Sequence, residues 1–162
     1  MIGLLLPLLP ALPSISPLAV QAVFFVVLLL FASVIDIRSR VIPNSICALT
    51  ALTGLITFSP VNLFGVLAAL PLLTAALCKQ DSIGGGDIKL TAACGLILGF
   101  GGGMTGLVIG LAIMIIFYAV SQTANRFCKE KNRKRGKPAA LPMAPFLSIG
   151  FITIYFINNA LQ

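Results

Sequence analysis

Residues 18–36 read LAVQAVFFVVLLLFASVID, an uncharged and mostly apolar run closed by a single aspartate. A helix needs about 20 residues to cross a hydrocarbon core about 30 Å thick, and about 17 already suffice. Leu18 to Ile35 is therefore long enough to span a membrane, with Asp36 standing at its end. The same pattern continues along the chain. Residues 41–78 and 90–125 are uncharged runs of 38 and 36 positions, broken near Ser59, Pro60 and Asn62 in the first and at Gly101, Gly102 and Gly103 in the second, so that turns are expected over residues 59–62 and 99–103. Each reads as a helical hairpin, and residues 138–162 supply one more span. The expectation is an all-α integral membrane protein with six transmembrane helices in a single domain over residues 18–162. Residues 1–17 are apolar too, but Pro7, Pro10, Pro13 and Pro17 interrupt them and no basic start precedes them. They read as an interfacial or outer-face tail, with a cleaved or re-entrant segment as the other reading.

The composition agrees. Of 162 residues, 59% are hydrophobic and 9% charged, and the mean hydropathy of +1.09 lies far outside the soluble range. This excludes a soluble globular enzyme, and the lack of any histidine excludes histidine-dependent chemistry. The charged residues occupy three windows, 36–40, 79–89 and 126–137. The last holds Arg126, Lys129, Lys131, Arg133, Lys134, Arg135 and Lys137 against Glu130 alone, and basic loops of this kind stay in the cytoplasm. With two crossings between successive windows all three share that face, and six crossings leave the N-terminus and the C-terminus outside. Beside two apolar spans the basic loop is a topology signal that also attracts anionic lipid head groups, and no nucleic-acid partner is expected. Cys47, Cys78, Cys94 and Cys128 form no CxxC pair, so neither a metal site nor a disulfide framework is expected.

Apart from Glu130, the acids are Asp36, Asp81 and Asp87. Asp36 closes the first span and Asp87 follows Gly84, Gly85 and Gly86 at the start of the fourth, on the same side of the membrane. Carboxyls at such depth are costly and usually line a polar cavity. Two in one poorly solvated pocket share a proton, so that one acts as base on a water while the other protonates a leaving amine. That is the aspartic-protease arrangement, and it needs no metal or cofactor. A structural reading also fits: Asp36 pairs with Arg38 or Arg40 and Asp87 with Lys89, marking only the interface. The three glycines allow positive φ and close backbone approach beside Asp87, or form a plain loop with Asp87 as helix N-cap. Pro43 biases Ile42 away from helix and Asn44 is suited to cap the second span. Pro142 and Pro145 give the last span either an irregular beginning bordering a groove or a proline-initiated first turn. Helix dipoles favour the charge on Asp87, at a helix N-terminus, over Asp36 at a C-terminus, while Arg38 and Arg40 oppose this.

The stretch from Asp36 through Arg38 and Pro43 to Asn44 resembles the first aspartate motif of bacterial type IV prepilin peptidases. Gly84-Gly85-Gly86-Asp87-Ile88-Lys89-Leu90 is similar to their GxGD motif, and Pro142 to Phe146 fits as well. The resemblance covers nearly the whole chain. It implies an intramembrane aspartic endopeptidase with Asp36 and Asp87 catalytic, removing the short basic leader of prepilin or pseudopilin preproteins at the cytoplasmic face of the bacterial inner membrane. Gly84 and Gly86 then shape the loop, while Lys89, Arg38, Pro43, Asn44 and Pro145 tune or border the site. Asp81 matches no catalytic position. Larger family members carry two cysteine pairs before the first aspartate and also methylate the product. This sequence has no such pairs, which points to the small single-domain form, and no S-adenosylmethionine site is legible. Two other classes compete: a proton-coupled transport subunit, which needs acids or bases at mid-span that this sequence lacks, and a non-catalytic assembly scaffold.

Overall fold

The computed structural model describes residues 17–57, 59–78, 84–127 and 142–160. It is helical, as the uncharged runs require. Helix α1 (Pro17–Ser39) opens on a proline, whose fixed φ suits a first helical position. Its buried stripe, Gln21, Phe25, Leu29, Ala32, Ser33 and Asp36, follows the helical repeat, while Val23, Phe24, Val27, Leu30 and Phe31 are exposed on the other side. An apolar outer surface of that extent suits lipid. α1 ends where the Arg40 amide bonds to the Asp36 carbonyl at 2.9 Å. Arg40 itself turns into the left-handed region, with φ of 54°.

Helix α2 (Asn44–Thr53) is shorter than the expected second span. Residues 41–43 are not helical and residues 54–57 form a turn, so its 10 residues rise only about 15 Å, half the hydrocarbon core. Pro43 causes the late start, because it disfavours helix at Ile42. Beyond the turn, Pro60–Ala69 is a 3-10 helix that runs directly into α3 (Leu70–Cys78). Pro71 accounts for the junction. It has no N–H to give the Leu67 carbonyl, which accepts the Leu70 amide three residues on. The looser rise stretches the 19 residues Pro60–Cys78 to about 33 Å, against about 28 Å for a uniform α-helix.

Helix α4 (Gly85–Phe127) is interrupted at Gly99, with φ of 72° and ψ of 176°. The break falls at the first residue of the expected turn over residues 99–103, while Gly101, Gly102 and Gly103 are helical. Only glycine accepts such a conformation readily. The chain reverses there: a methyl group placed on Gly103 would lie 3.1 Å from the Gly95 Cα, whereas eight residues of straight helix would separate them by about 12 Å. Helix α5 (Ala144–Ala160) starts later than residue 138 and carries Pro145 in its first turn, so the proline-initiated reading holds. Among the described residues, three helical stretches are long and apolar enough to cross a membrane: Pro17–Ser39, Pro60–Cys78 and Gly85–Thr123. The expected tail over residues 1–16, Asp81 and the loop over residues 128–137 lie outside the described residues.

Glycines make the closest crossings. Gly65 of the 3-10 helix meets Gly95 so tightly that a side chain on either would collide with the other's carbonyl. Gly150 of α5 packs in the same way on Gly106 and Gly110 of α4. Small residues permit such approach where lipid leaves no hydrophobic drive between helices. Ser33 and Ser148 link α1 to α5, with a hydroxyl–hydroxyl bond of 2.9 Å and a bond from Ser148 to the Leu29 carbonyl. Gly95→Ala should therefore cost about 1 to 3 kcal/mol in a detergent unfolding titration. Gly101→Ala, where nothing lies within 4 Å, should be neutral or stabilising. Equal stability of the two variants would contradict this packing.

Candidate active site

Asp36 lies in the last full turn of α1, and Asp87 in the first turn of α4. Both are buried, at 5% and 7% exposure, and both line one cavity of about 120 Å³. Arg40, Val41, Ile42, Gly84, Gly85 and Gly86 complete its wall. A water occupies about 30 Å³ in the liquid, so there is room for a few waters beside the two carboxyls. The two stretches singled out in the sequence thus form opposite sides of one small chamber.

The backbone explains how they meet. After the left-handed turn at Arg40, residues 41–43 carry the chain into α2 and put Ile42 against α4. A methyl group on Gly86 would stand 2.8 Å from the Ile42 Cβ, and one on Gly84 would stand 3.2 Å from Asp87 Oδ2. Gly85 has nothing within 4 Å. Gly85 and Gly86 are helical, without positive φ, so it is the missing side chain at Gly86, and not backbone freedom, that the site uses. Asp87 is not an N-cap either, since its own amide bonds to the Gly84 carbonyl at 3.0 Å.

Hydrogen bonding distinguishes the two carboxyls. Asp36 Oδ2 accepts the Ala144 amide at 2.9 Å, at the N-terminus of α5. Asp87 Oδ1 is buried without a partner. The helix-end argument for charge on Asp87 considered only α1 and α4; the structure adds a backbone donor and the positive end of the α5 dipole at Asp36. Among the described residues no ion pair joins Asp36 to Arg38 or Arg40, or Asp87 to Lys89.

The remaining predicted residues fall around the chamber. Lys89 Nζ donates to Asn44 Oδ1 at 2.8 Å, clamping the start of α2 to the start of α4. Asn44 does not cap α2: Pro43 occupies that position, with no side-chain cap bond. Arg38 is exposed in the last turn of α1 and does not line the cavity. Pro145 follows the amide that reaches Asp36. Sequence reasoning missed Ala144, whose contribution is a backbone amide that no residue type announces. It also missed a larger cavity of about 380 Å³ near the opposite end of α1. Gln21, Thr57, Asn62, Tyr155 and Asn158 are among its lining residues, and it has no carboxyl. Cys47 and Cys94 are free and buried, in keeping with a packing role.

The family model of the type IV leader peptidases matches residues 23–120, which include both aspartates. The chain belongs to this family. A curated relative, the prepilin leader peptidase/N-methyltransferase of Bacillus subtilis (strain 168), is 30% identical over 148 residues, 86% of this chain and 56% of that protein. The chain thus spans a little over half the length of that relative. No solved structure matches. Membrane residence follows from the family and the apolar helices. Because Gly86 abuts Ile42 while Gly85 faces open space, Gly86→Ala should lower peptidase activity by roughly tenfold or more through a displaced Asp87. Gly85→Ala should stay close to wild type, and the two rates measured side by side decide the matter.

Proposed function

We propose that the chain is an intramembrane aspartic endopeptidase in which Asp36 and Asp87 form the dyad. The observation that carries this reading is the shared cavity: the two carboxyls, on different helices and far apart in sequence, are both withdrawn from solvent and face the same small volume. Burial of two acids without cationic partners is costly for a mere interface marker, and a functional pair is the better explanation. Asp36, with its amide donor, suits the charged partner that takes a proton from water. Asp87, with an unmatched oxygen, suits the partner that holds a proton and passes it to the leaving amine. The water attacks the scissile carbonyl, the proton on Asp87 reaches the amine nitrogen, and the proton taken by Asp36 restores the pair.

The family and the relative's name support a prepilin-type substrate, and in this reading it is a prepilin or pseudopilin preprotein with a short basic leader followed by an apolar helix. Such a helix reaches the site from the same membrane, with the leader at the cytoplasmic face. The reversal at Gly99 divides α4 into a hairpin, and in this reading the short α2 crosses together with residues 41–43 and 54–57 on either side of it, making six passes with both termini outside the bacterial inner membrane. Anionic lipid then neutralises the basic loop over residues 126–137. The chemistry calls for neither metal nor cofactor. The methyl transfer in the relative's name is not part of this proposal.

Asp36→Asn and Asp87→Asn should each reduce cleavage of a co-expressed prepilin by roughly 10³-fold or more, with the protein still present in the membrane. Retained cleavage in both variants would reject the dyad and favour a scaffold. A reporter enzyme inserted after Lys131 should be active in the cytoplasm, and an external signal there would reverse the orientation.

A further inference from the structure

Thr91 is fully buried one helical turn beyond Asp87, and its hydroxyl has no hydrogen-bond partner. This departs from the habit of the molecule. Ser33, Thr50, Thr105, Thr123 and Thr153 each bond to the carbonyl four residues back along their own helix. That is the readiest way for a helical hydroxyl to be satisfied. For Thr91 the corresponding carbonyl is that of Asp87, and the bond is not made.

Among the described residues, one other buried side-chain atom lacks a partner, and it is Asp87 Oδ1. The two residues are four apart on α4, which puts their Cβ atoms about 5 to 6 Å from each other on one face. A helical side chain covers the turn before its own Cα, so Thr91 leans toward Asp87. A hydroxyl can donate and a carboxyl oxygen can accept, and buried polar groups are rarely left unpaired. The stranded donor and the stranded acceptor complement each other.

We propose that Thr91 is a positioning residue for the dyad: rotation about its Cα–Cβ bond brings its hydroxyl to donate to Asp87 Oδ1. The bond fixes the plane of the Asp87 carboxyl and leaves Oδ2, on the Gly84 side, to face Asp36 and the water. Neither Lys89, held by Asn44, nor Cys47, whose thiol lies 3.8 Å from the Gly86 carbonyl, supplies that restraint.

The inference rests on the aspartic reading above, and the experiment separates the two. Steady-state cleavage of a purified prepilin would be compared for the wild-type chain, Asp87→Asn, Thr91→Val and Thr91→Ser in detergent–lipid micelles. Thr91→Val keeps the shape and removes the hydroxyl. It should lower kcat by roughly tenfold with KM unchanged, while the protein stays folded and thermal stability falls only slightly, since Asp87 Oδ1 loses one donor. Thr91→Ser should restore kcat. Wild-type kcat in Thr91→Val, or a loss that Thr91→Ser does not recover, would overturn the role of Thr91 and leave the dyad standing. A wild-type chain that fails to cleave, or an Asp87→Asn that still does, would overturn the dyad and this inference with it.

Discussion

Lipid presses apolar helices together no more than it presses them apart, so this fold depends on places where backbones touch without intervening side chains. Two such places dominate. Gly65 against Gly95 brings the 3-10 helix onto the first half of α4, with Gly103 alongside after the reversal at Gly99. Gly150 against Gly106 and Gly110 brings α5 onto the second half. In α4 the residues Gly102, Gly106 and Gly110 recur every four positions, the spacing that keeps one helical face bare. Dispersion at such close range, summed over many atoms, replaces the hydrophobic drive that water would provide.

The active-site geometry is a consequence of those crossings. Gly150 fixes how far α5 slides along α4, and Ala144 lies six residues earlier, about 9 Å up the same helix. That setting delivers the Ala144 amide to Asp36, and the Ser33–Ser148 bond holds α1 to the same height. On the other side, Ile42 seated against Gly86 and Lys89 bonded to Asn44 hold the start of α4 beside the α1–α2 link. The chamber is thus assembled by contacts that lie mostly outside it. Arg40 in the left-handed region, which costs a non-glycine residue about 1 to 2 kcal/mol, is tolerated because the turn it makes is what closes the chamber.

Much of this was legible in the sequence, and the failures have physical causes. The uncharged runs gave the helices, and the acids at their ends gave the two residues that meet, because charge is expensive in hydrocarbon and leaves few alternatives. Glycine was misread. The turn over residues 99–103 was legible, but its three consecutive glycines suggested the break; a helix accepts glycine where a neighbour needs the space, and Gly99 alone makes the break. Asn44 looked like a cap and proved to be an acceptor for Lys89, a partner 45 residues away. Ala144 could not be anticipated at all, since every residue but proline carries the same amide.

The two aspartates look alike in the sequence and are not alike in the fold. Local helix-end reasoning placed the charge on Asp87, because it considered each acid with its own helix alone. A third helix adds a donor that neither of those two supplies. α5 begins where α1 ends, and its first amides are left without helical partners, as at the start of any helix. One of them is consumed by Asp36, so the donor that stabilises a carboxylate comes from a segment more than a hundred residues away. Asp87 also sits at a helix start, but its Oδ1 receives none of the amides there. How well each acid is supplied with donors is therefore set by which oxygen the remaining backbone can reach, a property of how the helices pack and not of either aspartate's neighbours in the chain.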